Sequence, residues 1–192
     1  MADRFKKILR NTIKDIRENL SLSYQKEASR KICARIRQLK HYRYAKNLAL
    51  YNASNGEISL KEIWQSAPRQ GKFCCFPALT KDKTLLFLPA TPATPFKENQ
   101  YGILEPDISF SQAIPPKELN LIFLPLVAFD EYGTRLGRGA GYYDRTLAKE
   151  NHPLLIGTAY DFQHQHLIIP QEWDIPLTAV ITPNNTYWWG EQ

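Results

Sequence analysis

The chain is poor in cysteine. Its 192 residues include three, Cys33 and the adjacent pair Cys74 and Cys75. An odd count with two neighbours in sequence does not make a disulfide framework, so a reduced, cytoplasmic compartment is expected. Long hydrophobic runs are also missing. The longest, Leu121 to Phe129, is broken by Pro125 and far too short to span a bilayer. Residues 1–20 lack the apolar stretch of a secretory signal. No membrane partner is expected. There is no internal repeat and no low-complexity tract. With 43% hydrophobic and 23% charged residues, disorder and fibre are excluded. At about 150 residues per domain the expectation is one compact domain over residues 1–192. A chain this long buries roughly 70% of its unfolded surface and needs no staple.

Acidic residues are scarce in the first fifty positions, which hold 14 Lys/Arg against four Asp/Glu, a net of +10. The remainder carries 11 against 15, a net of −4, which leaves +6 overall. A basic helical segment at 1–45 suits an anionic partner such as nucleic acid, an acidic membrane or a phosphorylated small molecule. It equally suits a solvated helical face.

The first twenty residues read as an amphipathic helix. Phe5, Ile8, Leu9, Thr12, Ile13, Ile16 and Leu20 form its apolar stripe, with Lys6, Lys7, Arg10, Lys14 and Arg17 off it. After a break at Ser21 to Ser23, a second helix has Ala28, Ile32, Ile36 and Leu39 as its buried edge. Leu48 to Tyr51 reads as a strand. Ser59-x-x-Glu62 reads as a capping box opening a third helix, closed near Gly71. Phe73 to Phe76 and Leu85 to Leu88 are further strands. Residues 89–106, with four prolines and one glycine, read as a long loop of the kind that is usually functional. Leu121 to Leu124 has the continuous apolar character of a strand buried on both faces. Leu154 to Ala159 and Ala179 to Thr182 follow as strands. Alternating strands and helices predict a largely parallel open α/β sheet flanked by helices.

The segment from Phe129 to Arg145, FDEYGTRLGRGAGYYDR, follows that buried strand and leads into a helix. It is therefore expected at the carboxyl end of the sheet, where open α/β folds bind ligands. Gly137, Gly139 and Gly141 let backbone approach a ligand, consecutive N–H groups form an anion nest, and the helix adds its dipole. Arg135 and Arg138 can grip phosphate or carboxylate bidentately. Two familiar nucleotide motifs are absent. A P-loop needs Gly-Lys where Gly137-Arg138 stands, and a dinucleotide fingerprint needs its third glycine one residue beyond Gly141. A ligand-free turn capping a helix is the plainer reading, but two arginines, two tyrosines and an aspartate within ten positions speak against it.

Arg135-Leu-Gly-Arg-Gly-Ala-Gly-Tyr-Tyr-Asp144 resembles the signature of the 5-formyltetrahydrofolate cyclo-ligase family, also called 5,10-methenyltetrahydrofolate synthetases. Four landmarks in order extend the resemblance over most of the chain: Lys6-x-x-x-Arg10, Tyr51 to Ile58, Tyr101 to Pro106 and Asp174 to Leu177. Ala140 departs from the Lys or Gly common in the family, so a lysine contact there is absent while backbone contacts survive. The Tyr187-Trp188-Trp189 tail matches nothing in the family pattern.

The resemblance implies a single Rossmann-like domain, of the sugar-phosphate isomerase/CoA-transferase type of fold. It implies ATP-dependent cyclisation of 5-formyltetrahydrofolate to 5,10-methenyltetrahydrofolate, with ADP and phosphate released. The formyl oxygen is a poor leaving group, and its phosphorylation, as proposed for the family, would make it a good one. Matched residue by residue, Arg135, Leu136, Gly137, Arg138, Gly139, Ala140, Gly141, Tyr142 and Tyr143 would hold the ATP phosphates, with Arg138 as the catalytic group. Lys6 and Arg10, one helical turn apart, would join them. Arg138 to Tyr142 would also touch the folate, together with Asn52, Glu57 and Tyr101. Asp144 and Asp174 would supply Mg²⁺ contacts, magnesium preferring hard oxygens beside phosphates.

Each assignment has a plainer counterpart. Lys6 and Arg10 suit a solvated face, Asp144 a helix dipole, Asp174 a turn cap, Glu57 a surface loop, and Tyr51 and Tyr101 core packing. Asp130 could orient the glycine loop. His152, His164 and His166 are too sparse for zinc and read as surface-loop histidines. Cys74 and Cys75 read as buried, unreactive thiols. The expected partners are small molecules, with no nucleic acid, and the expected state is a monomer. Two other functions remain open. One is an RNA- or anion-binding module on the basic helices, although no interleaved aromatic platform accompanies them. The other is a sugar-phosphate isomerase-like enzyme needing no ATP.

Overall fold

The computed structural model describes residues 2–148 and 153–190. Three helices open the chain, α1 (Ala2–Glu18), α2 (Leu22–Gln38) and α3 (Lys40–Tyr44). Strand β1 (Asn47–Ala49), helix α4 (Lys61–Ser66), β2 (Phe73–Leu79) and β3 (Leu85–Pro89) follow. A hairpin, β4 (Phe96–Glu98) and β5 (Leu104–Pro106), precedes β6 (Leu121–Pro125). A second hairpin, β7 (Ala128–Asp130) and β8 (Arg135–Leu136), leads to α5 (Tyr142–Leu147). The chain ends with β9 (Leu154–Thr158), β10 (His164–Gln165), β11 (Ala179–Ile181) and β12 (Thr186–Trp188).

Among the described residues the main sheet has seven strands in the order β12-β11-β9-β6-β1-β2-β3. Its five inner strands run parallel, and the antiparallel edge strands β3 and β12 close it. Leu121 to Leu124 are at most 1% exposed, so β6 is buried on both faces as its unbroken apolar run requires. One core packs Ile32 and Ile36 of α2 with Ile63 of α4 against Leu48, Phe76 and Phe123. On the opposite face Ile122, Leu124, Leu155 and Val180 pack with Leu147 of α5. Chain order reverses at β1, which lies between β2 and β6. Such a switch point opens a crevice at the carboxyl ends of the strands.

Several expectations are corrected in detail. The proline-rich stretch 89–106 is not a plain loop, because β4 and β5 pair within it. The box at Ser59 to Glu62 does not form: Leu60 occupies the cap position without a side-chain bond, and Ser59 Oγ accepts from Lys61 N at 3.4 Å. Leu39 stands at the C-cap of α2, partly buried and packed against the same core as Ala28, Ile32 and Ile36. The hairpin β7–β8 intervenes between the buried strand and the helix after the glycine segment. His164 is half-buried and stacked on Phe129, not a surface histidine, and His152 lies outside the described residues. The unassigned tail forms β12, and Trp189 Nε1 donates to Glu131 O at 2.7 Å.

The largest correction concerns α1. Its periodicity marks a helix, but Phe5, Ile8 and Ile16 face solvent at 53%, 55% and 41% exposure. Of the expected stripe Ile13 is buried, and Leu9 and Leu20 pack against the core, but Lys6 and Arg17 are buried with them. Ile13 packs with Val127, Ala128, Leu136 and Ile168 around the β7–β8 hairpin, and the cations beside it are drawn inward by partners distant in sequence.

Candidate active site

A cavity of about 870 Å³ opens at the switch point, within the 300–1,000 Å³ typical of small-molecule sites. Tyr51 and Asn52, just past β1, and Pro125, the last residue of β6, form its floor. Lys6, Lys7 and Arg10 of α1 line it with Asp174, and Arg10 touches the glycine turn at Gly137; Pro77, Leu79, Leu85, Ile103 and Tyr101 also line it, and Tyr101 meets the same turn at Tyr142.

Two glycines of that turn are required by its backbone. Gly139 has φ +102°, and a Cβ there would stand 3.5 Å from the Arg10 guanidinium; Gly141 has φ +68°, and a Cβ would meet Arg145 Nη1 at 2.8 Å. Both lie in the left-handed region that other residues adopt only with strain. Arg145 ties the turn together by donating to Ala140 O and, at 2.8 Å, to Lys83 O. Arg10 Nε donates to Gly137 O at 2.9 Å. Lys6 Nζ lies 3.7 Å from Asp174 Oδ2. The two basic residues predicted for phosphate are thus held on the cavity wall.

The turn's two arginines differ. Arg135, 7% exposed, donates to Asp144 Oδ1 and, at 2.8 Å, to Ile175 O, so it clamps the turn to the segment beyond Asp174. Arg138 stands half-exposed on the cavity wall. Its Nε donates to Glu57 Oε1 at 3.1 Å, and an Nη donates to Ser54 Oγ.

Glu57 is 7% exposed and is not among the residues lining the cavity; its carboxylate faces the arginine that does. The reason is charge. Its Oε1 faces both Arg138 at 2.7 Å and Arg17 at 3.6 Å, and its Oε2 accepts from Ser54 N. Arg17 is itself 3% exposed; burial pulls its pKa down while Glu57 pushes it back up. Its Nε has no hydrogen-bond partner among the described residues. Glu57 therefore positions Arg138 from behind, and Arg17 supplies the second positive charge that a buried carboxylate needs.

Both predicted metal carboxylates line the cavity. Asp144 Oδ1 is engaged by Arg135 and by Ile175 N at 3.2 Å, while Asp174 Oδ2 accepts from Gln171 N at 2.9 Å. Each keeps one oxygen without a partner among the described residues. Two hard oxygens, with the rest of the shell left for phosphates and water, is a donor set that fits magnesium. Asp130 is fully buried. It orients the hairpin by accepting from Tyr132 N, Thr134 N and Ile168 N.

Tyr101 is 57% exposed, and its ring meets Tyr142 edge-on at 6.3 Å. Asn52 lines the cavity and donates to Leu104 O at 2.8 Å, fastening β5. Tyr51 is packed rather than presented. Its hydroxyl donates to Ile58 O at 2.6 Å, and burial raises its pKa well above the ordinary value. Tyr143 is half-buried and raised for the same cause. Leu136 is buried, and Gly137 and Ala140 line the cavity. Sequence reasoning missed Glu105, Gln171 and Trp173, all on the cavity wall. Glu105 sits inside a quoted landmark, and Trp173 directly precedes a predicted metal ligand.

A mostly parallel α/β sheet with a glycine turn at its switch point, flanked by cations and carboxylates, is the architecture of an enzyme of small-molecule metabolism. The model of the 5-formyltetrahydrofolate cyclo-ligase family matches residues 2–183. The 5-formyltetrahydrofolate cyclo-ligase of Haemophilus influenzae is 41% identical over 90% of this chain and 95% of its own. That of Escherichia coli is 34% identical over 92% and 100%. The NMR structure of Aquifex aeolicus 5,10-methenyltetrahydrofolate synthetase superposes with a TM-score of 0.83 at 30% identity, over 95% of this chain and 92% of that one. The chain belongs to the 5-formyltetrahydrofolate cyclo-ligase family, and is a ligase of folate one-carbon metabolism.

Proposed function

We propose that this cavity closes 5-formyltetrahydrofolate to 5,10-methenyltetrahydrofolate at the expense of ATP, with the nucleotide phosphates on the glycine turn and the folate rings against the apolar side chains. The observation that carries this reading is that one cavity wall holds both kinds of partner. Lys6, Arg10 and Arg138 line it together with Leu79, Ile103 and Tyr101, and along the glycine turn Arg10 touches Gly137 while Tyr101 meets Tyr142. Cations suit a triphosphate, and apolar walls with an exposed aromatic ring suit a flat heterocycle.

The γ-phosphoryl group passes from ATP to the formyl oxygen. The bond to the ADP oxygen breaks as the bond to the formyl oxygen forms. The folate N10 lone pair then attacks the formyl carbon, the carbon–oxygen bond breaks, and phosphate leaves with that oxygen. N10 gives up its proton to complete the methenyl bridge. In the first step the protein's part is positioning and stabilisation of spreading negative charge. Arg138, backed by Glu57, supplies charge beside the moving group, while backbone N–H groups of the turn hold the neighbouring phosphates. Mg²⁺ on Asp144 and Asp174 would neutralise phosphate charge when bound.

The free thiols Cys33, Cys74 and Cys75 suit a cytoplasmic setting. No helix among the described residues is long and apolar enough to cross a membrane. The test mixes protein, MgATP and 5-formyltetrahydrofolate carrying ¹⁸O in the formyl group. Methenyl absorbance must grow, and the label must appear in released phosphate. Absorbance without labelled phosphate would remove the phosphoryl step, and no absorbance would remove the reading itself.

A further inference from the structure

We propose that the turn Gln171–Asp174 is the binding site for the nucleotide base, with Trp173 as its stacking platform and Gln171 as the group that reads the adenine amino edge. This assignment rests on the ATP reading above and goes beyond it, because none of the residues placed so far touches the base.

The turn is closed from both ends. Asp174 N donates to Gln171 O at 3.0 Å, and Gln171 N donates to Asp174 Oδ2 at 2.9 Å. Trp173 is held out of this fixed turn at 66% exposure, on the cavity wall. The molecule treats other indoles differently. Trp64 packs edge-on against Phe76 and Phe96 and donates to Ala90 O, and Trp189 donates to Glu131 O. Trp173 has no ring contact and no hydrogen bond among the described residues. Gln171 also lines the cavity, half-buried, and its side-chain amide has no partner among the described residues. An indole face stacks on any base, and an amide can donate to and accept from adenine at once.

Neighbouring contacts set the order of the ligand's parts. Trp173 adjoins Asp174, Asp174 pairs with Lys6, and Arg10 stands one helical turn further along α1, about 6 Å. Arg10 in turn touches the glycine turn at Gly137. Base, then α- and β-phosphates, then γ-phosphate at Arg138 is the order these contacts allow.

The test compares MgATP, MgGTP and inorganic tripolyphosphate, which lacks a base. In Trp173→Ala the KM for MgATP should rise about 5- to 100-fold, the range expected for a lost base–aromatic stack. Inhibition by tripolyphosphate, the KM for the folate and the Tm should not move, and Trp173→Phe should recover most of the loss. In Gln171→Ala the preference for ATP over GTP should shrink at least about 5-fold. An unchanged KM for MgATP in Trp173→Ala overturns the proposal. A parallel loss of tripolyphosphate binding also overturns it, since the effect would then run through Asp174 and the phosphates. Wild-type protein without ATP-dependent turnover removes the ATP reading and this assignment together; normal wild-type turnover with an indifferent Trp173→Ala removes this assignment alone.

Discussion

The glycine turn and helix α1 meet at one ligand cavity, yet the chain encodes them in opposite ways. In the turn local sequence decides the outcome. Gly139 and Gly141 sit at positive φ, and Asp144 is near enough in sequence for Arg135 to seize it. In α1 local sequence misleads. Hydrophobicity alone selects a stripe of which Leu9, Ile13 and Leu20 pack inward while Phe5, Ile8 and Ile16 point to solvent. The face that docks carries Lys6, Arg10 and Arg17, because Asp174, Gly137 O and Glu57 await them. A buried cation is costly alone and tolerable when paired, and its partner's place is known only once the sheet has formed.

If the turn does the chemistry and α1 the holding, their variants should fail differently. Arg138→Ala should lower kcat about 100- to 1,000-fold, the usual cost of losing one charge-stabilising donor. It also takes the nearer counter-charge from buried Glu57, so Tm should fall as well, but by less than in Arg17→Met because the exposed Arg138 site admits water to the carboxylate. Steady-state kinetics beside thermal melts check this. Arg17→Met acts on the frame. It strips one counter-charge from buried Glu57 and should remove about 3 kcal/mol of stability, read in urea unfolding. Arg10→Ala and Lys6→Ala should each raise the KM for MgATP about tenfold, the loss of one phosphate contact, while the folate KM holds. A fall in kcat there instead would merge the two roles.

The smallest effect lies in the core. Burial pushes the Cys74 and Cys75 thiols from an ordinary 9.0 up to about 12. The folded state keeps these protons where the unfolded chain releases them. Their contribution is therefore complete below pH 9 and is lost as pH climbs from 9 towards 12. Tm should begin to fall above pH 9, and less steeply in Cys75→Ala; equal slopes would assign the fall to other groups.

The order of strands and helices was legible because β6 is a continuous apolar run and glycine and proline punctuate the rest. The β4–β5 hairpin was hidden by Pro92 and Pro95, which lie outside the paired residues. The cavity-lining cations Lys6 and Arg10, the turn and both candidate metal carboxylates were legible because motif spacing carries them. Glu57 was found, but its ion pairs were not, since those to Arg17 and Arg138 span 40 and 81 residues. Trp173 and Gln171 escaped because a single aromatic or amide in a loop has no pattern until the cavity is seen around it.

The most direct measurement of the central claim is a crystal structure of the protein with MgADP and 5-formyltetrahydrofolate. The diphosphate should lie against the backbone of residues 137–141 between Arg10 and Arg138, with the pteridine near Leu79 and Tyr101. A diphosphate bound away from that turn, or a pteridine beside Lys6, would contradict it.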